Sequence, residues 1–179
     1  MDLTGERVTL RALRREDAQV IAANIADPEV IRFVGGWAAQ PYAIHQAVEY
    51  ATEDREGSIS WAVERRSDGA MVGTTGLRAL DRQNRNCHWG ITLGPPSVWD
   101  QGLGSEACVL VTRFALQELG MEKVYLEVFE GNDRARRAYE KSGYQLEGTF
   151  PQDMLIGGRL RTTFRMAAYR DHPNYRTQP

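Results

Sequence analysis

The stretch "WDQGLGSEACVLVTRFALQELG", residues 99–120, sets Gly102 and Gly104 at the mouth of a strongly apolar helix. Leu103, Ala107, Leu110, Val111 and Phe114 fall along one stripe of that helix, so one side of it is buried. A helix start carries N–H groups with no acceptor inside the helix, and glycines there let a ligand approach the backbone. With Ser105 in the first turn, the segment reads as a cradle for a phosphate. A dinucleotide, a nucleoside triphosphate and the pyrophosphate of coenzyme A all suit such a cradle. A turn whose small residues serve only packing is the plainer alternative.

Two of these ligands fit the flanking sequence poorly. Gly102-x-Gly104-x-x-Ala107 matches the dinucleotide fingerprint, and Glu127 lies about 20 residues on, where that fold keeps a ribose-binding acid. In that fold, however, a buried strand runs straight into the first glycine. Here the preceding strand ends near Leu93 and "GPPSVWDQ" intervenes, and too little chain follows Ala107 for the remaining strands. The triphosphate loop G-x-x-x-x-G-K-[ST] is absent.

The 179 residues are enough for one domain with a substantial core, read as residues 1–170 with a loosely held tail at 171–179. Hydrophobic residues make up 42% and charged residues 26%, values of an ordinary globular domain. A net charge of −2 offers no general attraction to nucleic acid or to an anionic membrane, so neither is expected as a partner. No apolar run approaches the roughly 20 residues of a membrane span, and "MDLTGERVTLRAL" lacks the apolar core of a signal peptide. Cys87 and Cys108 form no CxxC pair, which fits a reducing, cytoplasmic compartment. His45, His88 and His172 fall in no ligand spacing, and no metal is expected.

Hydrophobic period divides the rest. "ERVTLRAL" alternates as a first strand; "REDAQVIAANIADPEVIRFV" repeats at helical spacing with a break near Asp27, where Pro28 follows. "PYAIHQAVEYATEDRE" is a further helix. "SISWAVERR" and "AMVGTTGLRAL" form a hairpin on the Asp68-Gly69 turn, and "NRNCHWGITL" is a strand with an expected bulge at Gly90. "EKVYLEVFE" is a strand, "NDRARRAYEKS" a helix ended by Gly143, and "YQLEGTF" and "RLRTTFRMAAY" close the chain as strands. Strands before and between helices define a mixed α/β domain.

The second motif selects the ligand. In "NDRARRAYEKSGY" the pattern is N-x-x-A-x-x-x-Y-x-K-x-G-Y, from Asn132 through Ala135, Tyr139, Lys141 and Gly143 to Tyr144. On a helix, Asn132 and Tyr139 differ by about 20° in direction and roughly 10 Å in height, as if lying along one extended ligand. Together with "WDQGLGSEA" about thirty residues upstream, and with the opening "RVTLRAL…ED" and the ending "EGTF…GGRLRTTFRMAAY", the whole chain resembles the GCN5-related N-acetyltransferase (GNAT) family. The glycine turn is similar to the W-G-x-G-x-A-x-E-A of the branch holding ribosomal-protein alanine and spermidine acetyltransferases. Asp100 replaces that branch's glycine, Ala135 stands for a serine common in the ribosomal enzymes, and Tyr139 is a tyrosine many of those lack.

The resemblance implies a mixed, mostly antiparallel sheet of six or seven strands flanked by helices. It also implies acetyl transfer from acetyl-CoA to a primary amine, directly and through a tetrahedral intermediate, in a protein that can form a homodimer. Small amines, polyamines, aminoglycosides and protein N-termini are all eligible acceptors. Ile91, Thr92 and Leu93 would pair with the pantetheine arm. Gln101, Gly102, Leu103, Gly104 and Ser105 would hold the pyrophosphate. Asn132 and Ala135 would flank the arm. Arg136, about 40° from the Asn132 face, would reach a phosphate, although a solvated basic face is the plainer account of Arg134, Arg136 and Arg137.

Tyr139 is the expected general acid, because a phenol of pKa about 10 holds its proton at neutral pH and can give it to a departing thiolate. His88 is a candidate general base, with water as its competitor. Trp37 and Tyr42 are expected to cover the acceptor, near the acidic run Glu49, Glu53, Asp54 and Glu56. A coenzyme A-binding regulatory module without turnover is the alternative of another class, and a dinucleotide oxidoreductase the third.

Overall fold

The computed structural model describes residues 1–34, 43–53 and 55–175. Eight strands form one sheet in the order β1-β2-β3-β4-β5-β6-β8-β7. They are β1 (Leu3–Thr4), β2 (Val8–Arg11), β3 (Ile59–Arg65), β4 (Ala70–Asp81), β5 (Asn86–Leu93), β6 (Lys123–Phe129), β7 (Gln145–Ile156) and β8 (Arg159–Tyr169). The helices are α1 (Ala18–Ala26), α2 (Pro28–Ile31), α3 (Ile44–Thr52), α4 (Leu103–Arg113) and α5 (Asp133–Lys141). The expectation of six or seven strands falls short by β1, two residues long, which pairs with β2 through Leu3 and Thr4 and is too short to show a period.

Alternation along the strands builds two faces. Cys87 and Trp89 of β5 and Val124, Leu126 and Val128 of β6 enter the main core beneath α4, with Ala107, Cys108 and Val111. On the other face a smaller cluster of Ala18, Ile21, Ala47 and Ala51 joins α1 to α3. Asp27 breaks α1 from α2 where the proline pattern places it, and its side chain accepts from the Glu29 N–H at 2.8 Å.

All strand pairs are antiparallel except β5–β6. That parallel ladder holds only Asn86↔Lys123, Cys87↔Val124 and His88↔Tyr125. Beyond His88 the two strands separate, although β5 runs on to Leu93 and β6 to Phe129.

Two expectations are corrected. Gly90 is not a bulge: it sits in register opposite Gly76, and the irregularity lies between Arg78 and Asp81, where Ala79 takes a left-handed φ of 48°. The tail is not loose as far as it is described. Tyr175 is fully buried, its hydroxyl donates to the Ser142 carbonyl, and its own carbonyl accepts from Gln117 Nε2 at 3.0 Å.

Candidate active site

The wedge between β5 and β6 opens into a cavity of about 540 Å³ that runs from the turn before α4 to α5. Gly102 caps α4 with a left-handed φ of 77°, a conformation open to glycine at little cost. The first intrahelical bond comes from the Glu106 N–H to the Gly102 carbonyl at 3.0 Å, which leaves the N–H groups of Leu103, Gly104 and Ser105 without helical acceptors. Gly104 lies close under β5: a Cβ there would stand 3.3 Å from Leu93 Cδ1. Glu106 fastens this turn to the start of β2, its carboxylate accepting from the backbone N–H groups of Glu6, Arg7 and Val8 at 2.7–2.8 Å.

The structure gathers Ile91, Thr92, Leu93, Gly102, Leu103, Gly104, Ser105, Asn132, Ala135, Tyr139 and His88 around this one cavity. Gln101 and Arg136 lie outside it. Gln101 donates to the Ser97 carbonyl at 2.8 Å and faces a smaller cleft beside Arg7 and Arg66. Arg136 pairs with Glu140 at 3.2 Å and stacks over Phe164. The basic side chain that α5 contributes to the lining is Arg134, whose guanidinium lies over the Trp99 ring and 3.9 Å from Asp100. Asn132 is the N-cap of α5, accepting from the Ala135 N–H at 3.3 Å, rather than a residue within the helix. Extrapolating helical angles from a capping residue therefore misplaces the basic side chain. Trp37, Tyr42 and Asp54 lie outside the described residues; Glu49, Glu53 and Glu56 do not line the cavity.

Three features of the lining escaped the sequence pattern. The indole of Trp99 donates to the Leu93 carbonyl at 2.8 Å, tying the glycine turn to the end of β5. Asn24 is buried and borders the cavity, and its Nδ2 has no partner among the described residues. Glu127 projects from β6 to the face that carries His88. Its Oε2 lies 3.0 Å from His88 Nε2, and its Oε1 accepts from Arg165 Nη2 at 2.9 Å. The signal for Glu127 was present: Val124, Leu126 and Val128 alternate into the core, which sends Glu127 to the opposite face.

Electrostatics follow from these neighbours. The bond from His88, against the opposing cost of burial and with help from Arg165, holds the Glu127 carboxyl down at about 2. With Glu127 ionised, His88 donates from Nε2 and leaves the Nδ1 lone pair facing Arg78 Nη2 at 3.4 Å. Tyr139 packs edge-on against Trp89, ring centres 5.5 Å apart, and burial pushes its phenol well above the ordinary value. Burial likewise drives the thiols of Cys87 and Cys108 up to about 12, so neither is a nucleophile at neutral pH. Among the described residues no group of three or more His, Cys, Asp or Glu is placed to hold a metal, and no helix is long and apolar enough to cross a membrane.

The sheet divides at its one parallel pair among the described residues, and the glycine turn and the helix carrying Tyr139 lie on the same wedge. A family model for the acetyltransferase (GNAT) domain matches residues 7–145. The chain is 30% identical over 161 residues to the uncharacterized N-acetyltransferase YoaA of Bacillus subtilis, covering 87% of this chain and 89% of that one. It is 27% identical over 170 residues to the spermidine N(1)-acetyltransferase of Escherichia coli, covering 93% and 88%. Among solved structures, a GNAT-family acetyltransferase from Bacillus anthracis superposes with a TM-score of 0.83 at 16% identity, covering 96% of this chain and all of that one. The spermidine N-acetyltransferase of Vibrio cholerae, in complex with CoA and spermine, superposes with a TM-score of 0.82 at 21% identity, covering 94% and 98%. The chain belongs to the GNAT family. It is an acetyltransferase, and acetyl-CoA is the cosubstrate of that family. The dinucleotide reading is set aside: Glu127, its ribose-binding acid, is engaged by His88 and Arg165.

Proposed function

We propose that the protein acetylates a primary amine directly from acetyl-CoA, with the coenzyme lying in the wedge between β5 and β6. The observation that carries this reading is the end of the β5–β6 ladder at His88↔Tyr125. The edge of β5 from Trp89 to Leu93 then faces the cavity and can pair with the amides of the pantetheine arm as a further strand would. The N–H groups of Leu103, Gly104 and Ser105 receive the pyrophosphate, Arg134 adds a cation, and Asn132 and Ala135 flank the arm.

Acetyl-CoA supplies an acyl group already activated as a thioester. The protein must take a proton from the attacking ammonium, stabilise the developing oxyanion, and give a proton to the sulfur. His88 accepts the first at Nδ1, since Nε2 is engaged by Glu127. A backbone N–H at Ile91 or Thr92 serves the oxyanion. Tyr139, protonated throughout the neutral range, donates to the thiolate. The buried thiols suit a reducing compartment, and the cytoplasm is the proposed location. The homodimer implied by resemblance would cover Leu155 and Leu160, which are exposed at the β7–β8 end of the sheet.

The test is acetyl-CoA-dependent thiol release across a panel of primary amines. Release with some of them is expected. Tight acetyl-CoA binding by calorimetry without release from any amine would instead favour the regulatory module.

A further inference from the structure

We infer that the acetyl acceptor carries an anionic group, a carboxylate or a phosphate, a few bonds from its amine. The inference names the acceptor class of the site just described and rests on that reading. It begins with the charges that border the cavity. Asp100 and Arg134 stand opposed at the glycine turn. Away from that turn the lining holds Arg55, Arg78, His88 and Glu127.

Glu127 is the sole carboxylate of that second group, and it is spent: Arg165 and His88 occupy its two oxygens. Arg78 and Arg55 have no such match. Neither forms an ion pair with a carboxylate among the described residues. The side chain of Arg78 meets His88 Nδ1 at 3.4 Å, and Arg55 lies over the Tyr50 ring at 4.9 Å.

The backbone beneath Arg78 is shaped for it. A Cβ at Gly90 would stand 3.0 Å from Arg78 Nη2, so the glycine leaves the floor of the sheet free for the guanidinium. Ser58 and Ser60 add hydroxyls to the same lining. Guanidinium forks match carboxylate and phosphate oxygens in pairs, and they repel ammonium groups. A polyamine would bring its second cation beside Arg78 and Arg55, which no carboxylate among the described residues pairs with. The carboxylates that would welcome it, Glu49, Glu53 and Glu56, lie outside the lining. An anionic group on the acceptor also draws Arg78 away from His88 Nδ1 and leaves that lone pair to receive the amine proton.

The experiment uses the full-length protein, acetyl-CoA and primary amines in matched sets on amino-acid and dipeptide scaffolds. Each set contains the free carboxylate, its amide and its phosphonate; spermidine is assayed alongside. The expected kcat/KM for the anionic members exceeds that of the amide by about tenfold, with spermidine lowest. The faster of carboxylate and phosphonate identifies the anion. Arg78→Gln is expected to bring the anion-to-amide ratio down toward one, a change that a general loss of structure would not produce. Amides or spermidine turned over as well as the anions, or a ratio that survives Arg78→Gln, would overturn the inference while leaving acetyl transfer intact. No release from any member, with acetyl-CoA binding retained by calorimetry, would overturn the transfer reading itself and this inference with it.

Discussion

The guanidinium carbon of Arg134 lies 3.9 Å from the centre of the Trp99 ring, and the indole N–H of Trp99 holds the Leu93 carbonyl at 2.8 Å. One aromatic side chain thus joins the cation of α5, the glycine turn and the end of β5. Arg134→Ala is expected to weaken acetyl-CoA binding by roughly tenfold or more, the value of one charge-assisted hydrogen bond. Arg136→Ala, which removes a side chain engaged with Glu140 and Phe164, should weaken it far less. Calorimetric titration of the two variants makes the comparison; equal losses would place the phosphates elsewhere.

Tyr139→Phe keeps the packing against Trp89 and removes only the hydroxyl. Loss of a general acid costs about 10²–10⁴ in rate. The expected result is a fall in kcat of that order with acetyl-CoA affinity retained. An unchanged kcat in a steady-state assay would remove Tyr139 from the acid role.

The Glu127–His88 pair gives a pH signature. Because the carboxyl of Glu127 is depressed from 4.5 to about 2 in the folded protein, it contributes stability that is present above the unfolded value of 4.5. That contribution is lost as pH falls from about 4.5 through about 2. Thermal unfolding across this window should fall more steeply for the parent protein than for Glu127→Gln. In the activity assay, His88→Ala is expected to change the pH–rate profile. A profile identical to the parent's would assign proton removal to water.

Glu106 is the anchor beneath the coenzyme turn. Its carboxylate bonds three successive N–H groups, and Gly5 leaves it the space, since a Cβ there would come within 2.6 Å of Glu106 Cδ. Glu106→Ala is expected to cost about 2 kcal/mol, because the exposed N–H groups of Glu6 and Arg7 recover water while that of part-buried Val8 recovers less. For a domain of this size that lowers Tm by about 4–8 °C in a thermal melt. A change of less than one degree would show that the anchor contributes nothing to stability.

Much of the fold was legible because its signals are local. The Asp27 break, the Asp68-Gly69 hairpin and the glycine turn each sit in a few consecutive residues. The spacing of Asn132 and Tyr139 placed both on one cavity even though Asn132 proved to be a cap. What escaped depends on partners distant in sequence. Glu127 acquires its meaning from His88, 39 residues away, and Trp99 from the carbonyl it meets at Leu93. Gly90 stays in register and leaves room for Arg78 on the next strand, while the irregularity lies between Arg78 and Asp81. A position at the chain end predicts a loose tail, and the local sequence does not reveal that Tyr175 inserts its ring into the core.

Among the described residues, three ladder pairs join β5, and with it β1–β4, to β6, β8 and β7. A cosubstrate laid along the free margin of β5 would act as the missing seam between the two panels. Hydrogen exchange should therefore slow on both flanks of the gap when acetyl-CoA is added.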